Sequence, residues 1–221
     1  MTTYLVTGAN RGIGLAYCRQ LQARGDAVIA VCRTVSPELE SLGVRIEAGI
    51  ELSEESSIAE LVRRLAGCPL DGVILNAGIL HSMGLDDLDP EAIRRQFEVN
   101  ALAPLLLARA LVPQMPRGSK LVLMTSRMGS IDDNTSGGSY GYRMSKVALN
   151  IAGKSLAIDL KPRGIAVAIL HPGLVRTGMI RFNPSGVDPS DAVQGLLARI
   201  DALTLETSGS FWHANGQVLP W

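Results

Sequence analysis

Tyr142 and Lys146 are the residues whose types and spacing most directly suggest chemistry, because a separation of four places both on one face of a helix. A cation about 5 Å from a phenol, at an effective dielectric constant near 20, contributes roughly 3 kcal/mol in favour of the phenolate. We therefore expect Lys146 to lower the pKa of Tyr142 toward the range that is useful for proton transfer at neutral pH. Tyr140 has Met144 instead of a cation four residues on, so it is interpreted as a cleft wall or core residue. The alternative for the pair is a packed tyrosine beside a solvated lysine.

A second chemical signal is a glycine-rich turn that follows the first predicted strand and opens a helix. In such a turn one glycine permits the tight bend, another lets the backbone approach a pyrophosphate, and a third lets helix and strand pack closely. The N-terminus of the helix then offers unpaired N–H groups and a partial positive charge to phosphates. The residues expected to contact a dinucleotide here are Gly8, Asn10, Arg11, Gly12, Ile13 and Gly14.

The residues after the second predicted strand bear on which dinucleotide this turn would hold. Sites for NAD usually carry an acid there, which binds the ribose 2′-hydroxyl. In this chain Cys32 occupies the acid position and Arg33 follows it, while Arg11 lies inside the glycine turn. Two guanidinium groups that converge on a 2′-phosphate favour NADP(H) over NAD(H). The alternative is that both arginines are merely solvated.

Short apolar runs alternate with longer amphipathic segments, which is the pattern of a parallel sheet covered by helices on both faces. Strands are predicted at residues 4–7, 27–31, 44–48, 72–75, 120–125, 165–170 and 209–212. Helices are predicted at residues 15–24, 55–66, 90–112, 142–160 and 189–202. Right-handed crossovers then predict a doubly wound α/β sheet of the Rossmann type, with about seven strands in the order 3-2-1-4-5-6-7, as a single domain over residues 1–221.

The composition argues against several other classes of protein. The chain has 221 residues, of which 47% are hydrophobic, and its formal net charge is zero. This length suits one domain with a sizeable core. The balanced charge argues against nucleic acid as the main partner and gives no reason to expect binding to an anionic membrane surface.

The cysteines and the apolar stretches bear on the cellular compartment in which the protein is expected. Cys18, Cys32 and Cys68 are odd in number and widely spaced, which predicts free thiols in a reducing compartment. No Cys-x-x-Cys is present and the histidines lie far apart, so no metal site is expected. No signal peptide and no apolar stretch long enough to cross a bilayer are visible, and the expected location is the cytoplasm.

The order of several motifs along nearly the whole chain resembles that of the short-chain dehydrogenase/reductase family. These motifs are Thr7 to Gly14, Asn76-Ala77-Gly78, Asn100, Ser126, Tyr142 with Lys146, and Pro172-Gly173. The segments 125–131 and 140–146 and the ending 216–221 are similar to the branch that contains C-factor and the sniffer-type carbonyl reductases. The distance from Ser126 to Tyr142 is longer than the family usually shows, with the loop at Gly137 and Gly138 as the expected insertion.

The resemblance implies roles for four catalytic residues. Tyr142 is the general acid/base, Ser126 hydrogen-bonds the carbonyl oxygen, and Lys146 with Asn100 forms a proton relay in which Asn100 holds a water. Ser126 is preferred to Ser130 because a glycine follows it at the family's spacing. The alternative for Asn100, a poor mid-helix residue, is a helix kink or simple packing.

The resemblance also implies further contacts with the cofactor. They are assigned to Asn76, Ala77 and Gly78 after the fourth strand and to Pro172, Gly173, Val175 and Thr177 after the sixth, in addition to Tyr142 and Lys146. Glu51 stands where many relatives carry an aspartate that touches adenine, and its longer side chain puts that contact in doubt. His171 is interpreted as structural.

The expected reaction is NADP(H)-dependent reduction of an aldehyde, ketone or quinone to an alcohol. The loop at residues 132–138 is either a solvated surface loop or one wall of the substrate cleft, and Met83, Met179, Ile180 and Phe182 are candidates to line that cleft. The alternative function is an NADP(H)-binding redox-sensing or signalling protein with little turnover. The expected partners are a small carbonyl or alcohol substrate and further copies of the chain, in a homodimer or homotetramer.

Overall fold

The computed structural model describes residues 2–221, and within them seven parallel strands form one sheet in the order β3-β2-β1-β4-β5-β6-β7. The strands are β1 Thr3–Thr7, β2 Ala27–Val31, β3 Arg45–Glu47, β4 Gly72–Leu75, β5 Lys120–Met124, β6 Ala166–His171 and β7 Phe211–His213. The predicted fold class and strand order are confirmed, and the predicted strand positions agree to within about two residues at each end.

Helices cover both faces of the sheet. They are α1 Gly12–Ala23, α2 Pro37–Glu40, α3 Glu55–Arg64, α4 Pro90–Phe97, α5 Ala103–Leu111, α6 Tyr140–Leu160 and α7 Pro189–Asp201. Apolar residues of α1, α2 and α7 pack on one face of the sheet, and those of α3, α5 and α6 pack on the other. Because alternate residues of the central strands enter the two cores, these strands are largely apolar and could be located in the sequence, whereas the edge strand β3 contains only one apolar residue, Ile46.

The helix predicted over residues 90–112 is present from Pro90 to Leu111, but its α-helical repeat is interrupted. The structure has α4, then a π-helical turn over Glu98–Leu102, then α5. The turn inserts backbone that does not follow the 3.6-residue repeat, so apolar periodicity does not reveal it. The short helix α2, which Ser36 caps at its N-terminus, was not predicted.

The parallel arrangement brings the carboxyl ends of the central strands to one edge of the sheet. The sheet reverses its winding between β1 and β4, and ligands of doubly wound sheets bind in the crevice at such a point. Within residues 2–221 no helix is both long and apolar enough to cross a membrane.

Candidate active site

The glycine turn between β1 and α1 has room for a phosphate because its residues lack side chains where the backbone closes. Gly8 and Gly12 have φ values of +65° and +55°, which favour glycine. A Cβ atom on Gly14 would lie 2.1 Å from the carbonyl oxygen of Gly8. No side chain caps the N-terminus of α1, so its N–H groups are available to an anion. These features fit the predicted pyrophosphate site.

The other residues predicted in the turn lie around it. Arg11 is exposed at the start of α1, and Ile13 is partly buried against the core. The carbonyl oxygen of Asn10 accepts a hydrogen bond of 2.7 Å from the Ser36 hydroxyl, which ties the turn to the segment after β2. This hydrogen bond therefore helps to hold the glycine turn in place.

Arg33 follows β2 and lies in an ion pair with Glu51, with an Nη1–Oε2 distance of 3.2 Å. Arg95 approaches the same carboxylate at 3.6 Å, and the Arg33 side chain is 63% exposed. The Glu51 side chain also accepts hydrogen bonds from Ser53. Arg33 is thus held near the carboxyl end of β2 by Glu51, while most of its guanidinium surface faces solvent.

The predicted segment after β4 is tied directly to β1. The amides of Asn76 and Ala77 donate to the Thr7 hydroxyl at 2.9 and 3.1 Å, and the Asn76 side chain donates to the Thr7 carbonyl at 3.0 Å. A Cβ atom on Gly78 would lie 3.2 Å from Oδ1 of Asn100 and 3.7 Å from Nζ of Lys146. Gly78 therefore allows the predicted cofactor segment to approach two predicted catalytic residues.

Asn100 lies in the π-helical turn, fully buried, and its amide is hydrogen-bonded to the backbone of Ile79. Oδ1 accepts from the Ile79 amide at 2.8 Å, while Nδ2 lies 2.9 Å from the Ile79 carbonyl and 3.0 Å from the Ser145 hydroxyl. The site of the predicted relay is thus joined to α6 through Ser145. The water contact assigned to Asn100 stays a prediction.

Tyr142 and Lys146 share the inner face of α6, as their spacing predicts, and both are buried. Nζ of Lys146 donates a hydrogen bond of 3.0 Å to the carbonyl oxygen of Met124 and lies 5.7 Å from the centre of the Tyr142 ring. Burial raises the pKa of the Tyr142 phenol to about 12, and the Ser126 hydroxyl acts in the opposite direction. Burial also lowers the pKa of the Lys146 ammonium to about 8.

The expectation that Lys146 lowers the pKa of Tyr142 is therefore wrong for this arrangement. Burial disfavours the charged phenolate, and this effect outweighs the opposing effect of the Ser126 hydroxyl on the pKa of Tyr142. The Lys146 ammonium is itself desolvated, and it is directed to the carbonyl of Met124. The spacing of the two groups could be predicted from the sequence, whereas their removal from water could not.

Ser126 lies two residues beyond the end of β5 and precedes a 3₁₀ turn over Arg127–Gly129. Its Oγ accepts a hydrogen bond of 3.1 Å from the Met128 amide, which leaves the hydroxyl proton free to donate. A Cβ atom on Gly129 would lie 2.8 Å from the carbonyl carbon of Lys146, so this glycine permits contact between the turn and α6. Ser130, the serine that was not preferred, is buried and caps the amide of Asp133.

The predicted segment after β6 closes the site near the glycine turn. A Cβ atom on Gly12 would lie 3.2 Å from Cγ2 of Thr177, and Gly173 has a φ of +85°. Val175 is buried and pairs with Val187. Pro172 follows β6, and Thr177 brings this segment close to the glycine turn, while the predicted contacts of the segment with the nicotinamide stay a prediction.

The loop at residues 132–138 lines an apolar groove of about 450 Å³ on the outer side of the start of α6. Phe97, Tyr140 and Met144 contribute to this groove, whereas Tyr142 and Ser126 do not. Met83 is buried, but Met179 and Phe182 are exposed and can face a substrate. Within residues 2–221 no cluster of three or more His, Cys, Asp or Glu side chains could hold a metal ion.

Two buried side-chain amides that connect parts of the site were not predicted from the sequence. Gln96 accepts a hydrogen bond of 2.8 Å from the His81 amide, and Asn150 bonds to residues on both sides of Ser126. The available signal for Asn150 was its position on the Tyr142 helix, four residues beyond Lys146, where a polar side chain interrupts an apolar face.

Comparison with known proteins gives the same assignment as the geometry. A sequence model described as short chain dehydrogenase matches residues 2–187. The 1-hydroxy-2-glutathionyl-2-methyl-3-butene dehydrogenase of Rhodococcus sp. (strain AD45) is 42% identical over 226 residues, which cover all of both chains. The C-signal protein of Myxococcus xanthus is 43% identical over 157 residues, which cover 69% of this chain and 93% of that protein.

Solved structures extend the similarity to the whole fold. The NADPH-bound carbonyl reductase from chicken fatty liver superposes with a TM-score of 0.89 at 29% identity, over 100% of this chain and 99% of that one. C-signal and carbonyl reductases are the relatives that the sequence motifs predicted, so the expected branch is confirmed.

Proposed function

The chain belongs to the short-chain dehydrogenase family, and from this premise we propose that it is an NADP(H)-dependent oxidoreductase that reduces a carbonyl group to an alcohol, with Tyr142 as the general acid/base. The observation that carries the proposal is the meeting of three groups at one edge of the sheet. These are the buried Tyr142–Lys146 pair, the Ser126 hydroxyl and the glycine turn at the start of α1.

The chain's own residues would stabilise the carbonyl oxygen and transfer the proton. When bound, NADPH supplies a hydride to the carbonyl carbon and becomes NADP⁺. Ser126 then donates its free hydroxyl proton in a hydrogen bond to the carbonyl oxygen as negative charge develops there. Tyr142 transfers its phenolic proton to that oxygen, which completes the alcohol, and Lys146 with Asn100 lies where it can return a proton to the phenolate.

The raised pKa of Tyr142 keeps its phenol in the protonated form, which is the form that donates a proton in carbonyl reduction. A phenol with a pKa of about 12 is protonated at neutral pH and can donate at once. Alcohol oxidation needs the phenolate, which the positive charge of an oxidised nicotinamide would help to form. The Rhodococcus relative is a dehydrogenase by name, so both directions belong in the assay.

The turn and Arg33 support NADP(H) as the cofactor. The cradle formed by Gly8, Gly12 and Gly14 fits a pyrophosphate, and Arg33 lies at the end of β2, where a ribose 2′-substituent is read. The carbonyl reductase from chicken fatty liver, which has the same fold, was solved with NADPH bound. Arg11 is exposed at the rim of the turn and can add a second positive charge.

The substrate that we propose is a small aldehyde, ketone or quinone with an apolar body. Exposed apolar side chains follow Thr177 in the chain, among them Met179 and Phe182. The Rhodococcus relative is named for a glutathionyl alcohol, so glutathione conjugates that carry a neighbouring hydroxyl or carbonyl group also belong in the substrate panel.

The test is NADPH consumption by wild type, Tyr142→Phe and Tyr140→Phe against a panel of carbonyl compounds. We expect Tyr142→Phe to lower kcat at least 100-fold while the Kd for NADPH changes less than about threefold. Tyr140→Phe is the matched control, because it removes the exposed phenol two residues away. Wild-type turnover by Tyr142→Phe on a proven substrate would refute the role of Tyr142.

The same assay separates the alternative function. The similarity to C-signal is compatible with a redox-sensing or signalling protein that binds NADP(H) and turns over little. Tight NADPH binding without consumption across the whole panel would favour that alternative. The complete Ser126, Tyr142 and Lys146 set favours an enzyme, because a protein that only binds has no need for a buried proton donor.

A further inference from the structure

Asn150 connects helix α6 to both sides of the serine turn through its buried side-chain amide. The Thr125 hydroxyl donates to its Oδ1 at 2.6 Å, and its Nδ2 donates to the Gly129 carbonyl at 2.9 Å. Thr125 immediately precedes Ser126, and Gly129 is the last residue of the 3₁₀ turn that Ser126 precedes. One side chain from the helix that carries Tyr142 thus holds both ends of the segment that carries Ser126.

Burial and close packing restrict the movement of the three residues that form this connection. Thr125, Gly129 and Asn150 are all buried. The Gly129 backbone lies directly against Lys146, since a Cβ atom on Gly129 would be 2.8 Å from the Lys146 carbonyl carbon. The Oδ1 and Nδ2 atoms of Asn150 each make a hydrogen bond to the serine segment.

We propose that Asn150 and Thr125 act as positioning residues that fix the Ser126 hydroxyl relative to the Tyr142 phenol. Within residues 2–221 the Ser126 side chain makes one hydrogen bond of 3.5 Å or less, from the Met128 amide inside the same turn, and its hydrogen-bonding effect on the Tyr142 phenol comes from a contact outside that limit. Contacts outside the Ser126 hydroxyl must therefore help to set the distance between the serine turn and α6. The Thr125–Asn150–Gly129 bridge holds both ends of the turn on the helix, and it acts beside the Lys146–Met124 hydrogen bond and the close approach of Gly129 to Lys146. This inference rests on the proposed function of Tyr142 and Ser126.

The test compares substitutions at both ends of strand β5. Thr125→Val removes the hydroxyl and keeps the shape, whereas Thr125→Ser keeps the hydroxyl. Asn150→Leu removes both bonds of the bridge and is informative if it folds. Ser119→Ala is the matched control. Ser119 precedes β5 at the end opposite Thr125, and its buried hydroxyl donates a hydrogen bond of 3.0 Å to the Leu70 carbonyl.

The activity readout separates positioning from general loss of stability. For the folded fraction we expect Thr125→Val to lower kcat for carbonyl reduction about 10- to 100-fold, with the Kd for NADPH unchanged within about twofold. Thr125→Ser should restore kcat to within about threefold of wild type. Because the Ser126 hydroxyl opposes the rise in the pKa of Tyr142, the apparent pKa in the pH profile of kcat should move upward in Thr125→Val, in the same direction as in Ser126→Ala. Ser119→Ala should change neither kcat nor the profile.

A readout without substrate tests the bridge itself. The amides of Met128 and Gly129 donate to the hydroxyl and carbonyl of Ser126, and we expect their hydrogen exchange to be at least tenfold faster in Thr125→Val than in Ser119→Ala. Unchanged exchange would overturn the bridge, and faster exchange with unchanged kcat and pH profile would overturn its role in positioning. If wild type and Tyr142→Phe are both inactive, the proposed function fails, and the exchange result still decides whether the bridge holds the turn.

Discussion

Arg33 is the residue whose charge most directly decides between the two nicotinamide dinucleotides. It lies beyond β2 with most of its guanidinium surface exposed, and Glu51 holds it at 3.2 Å. A charge-assisted hydrogen bond to a 2′-phosphate contributes about 1.5–3 kcal/mol. We expect Arg33→Ala to lower kcat/KM for NADPH at least tenfold and to leave kcat/KM for NADH within about twofold. Arg63→Ala, on the exposed face of α3, is the control; equal losses with both cofactors would show that Arg33 does not read the 2′-group.

Lys146 illustrates a conflict between stability and catalysis. Its pKa falls from 10.5 to about 8 on burial, so at pH 7 the folded protein carries a desolvated ammonium that costs about 3 kcal/mol. The hydrogen bond to Met124 offsets only about 1 kcal/mol of this cost. We expect Lys146→Met to abolish turnover and to raise the free energy of unfolding at pH 7 by about 1–2 kcal/mol.

The pH dependence of Lys146→Met checks the cause of this effect. Between pH 8 and 10.5 the folded wild-type protein releases the Lys146 proton while the unfolded chain keeps it, so wild-type stability rises with pH in that window. The advantage of Lys146→Met in urea unfolding should therefore shrink between pH 7 and pH 10. A variant that is less stable at pH 7, with a gap that does not change with pH, would contradict a desolvated ammonium.

At the residue scale, the positions of the candidate catalytic residues could be predicted from the sequence, but the burial of their side chains could not. The positions of Tyr142, Lys146 and Ser126 followed from helical periodicity and from motif order. The pKa of Tyr142 did not, because it depends on burial by residues far away in the chain. Asn150 and its partner Thr125 were missed for the same reason, since their hydrogen bond joins a strand end to a helix, 25 positions apart.

At the scale of elements, the connection between β1 and α1 is the segment with the least tolerance for change. A Cβ atom on Gly14 would lie 2.1 Å from the Gly8 carbonyl oxygen and 2.8 Å from Nδ2 of Asn76. Gly14→Ala must therefore separate α1 from the ends of both β1 and β4. We expect at least tenfold weaker NADPH binding by titration calorimetry. The control is Gly84→Ala, where the nearest atom is the end of the flexible Asp87 side chain at 3.1 Å; unchanged NADPH affinity in Gly14→Ala would refute the assigned phosphate cradle.

The elements that could be predicted are those whose local pattern agrees with the fold. Most strands are apolar runs because residues of both sheet faces are buried. The π-helical turn at Glu98–Leu102 has no such pattern, and its place is fixed by contacts of Asn100 with Ile79, on the segment after β4. The helix α2 spans only four residues, which is too short for a periodic signal.

At the scale of the whole molecule, the sheet places the titratable side chains of the site next to two apolar cores, where a charged form is disfavoured. The site collects residues from the carboxyl ends of β1, β4, β5 and β6, between two apolar cores. His171 is the last residue of β6, and its ring meets the ring of His213 at 5.0 Å, edge to face. Burial lowers the pKa of His171 to about 3, and the nearby His213 and Arg127 act in the same direction while Asp133 opposes them.

This partly buried imidazole should make the whole fold sensitive to acid. Between pH 6.5 and 3 the unfolded chain binds a proton at His171 that the folded protein excludes, so stability is lost as the pH falls through that window. His171→Phe keeps a ring against His213 and removes the titration. We expect both proteins to unfold at similar urea concentrations at pH 7, and the variant to be about 2–3 kcal/mol more stable at pH 4. A constant difference between them from pH 7 to pH 4 would place the acid sensitivity on other groups, because only a group that titrates in this window can make the difference grow.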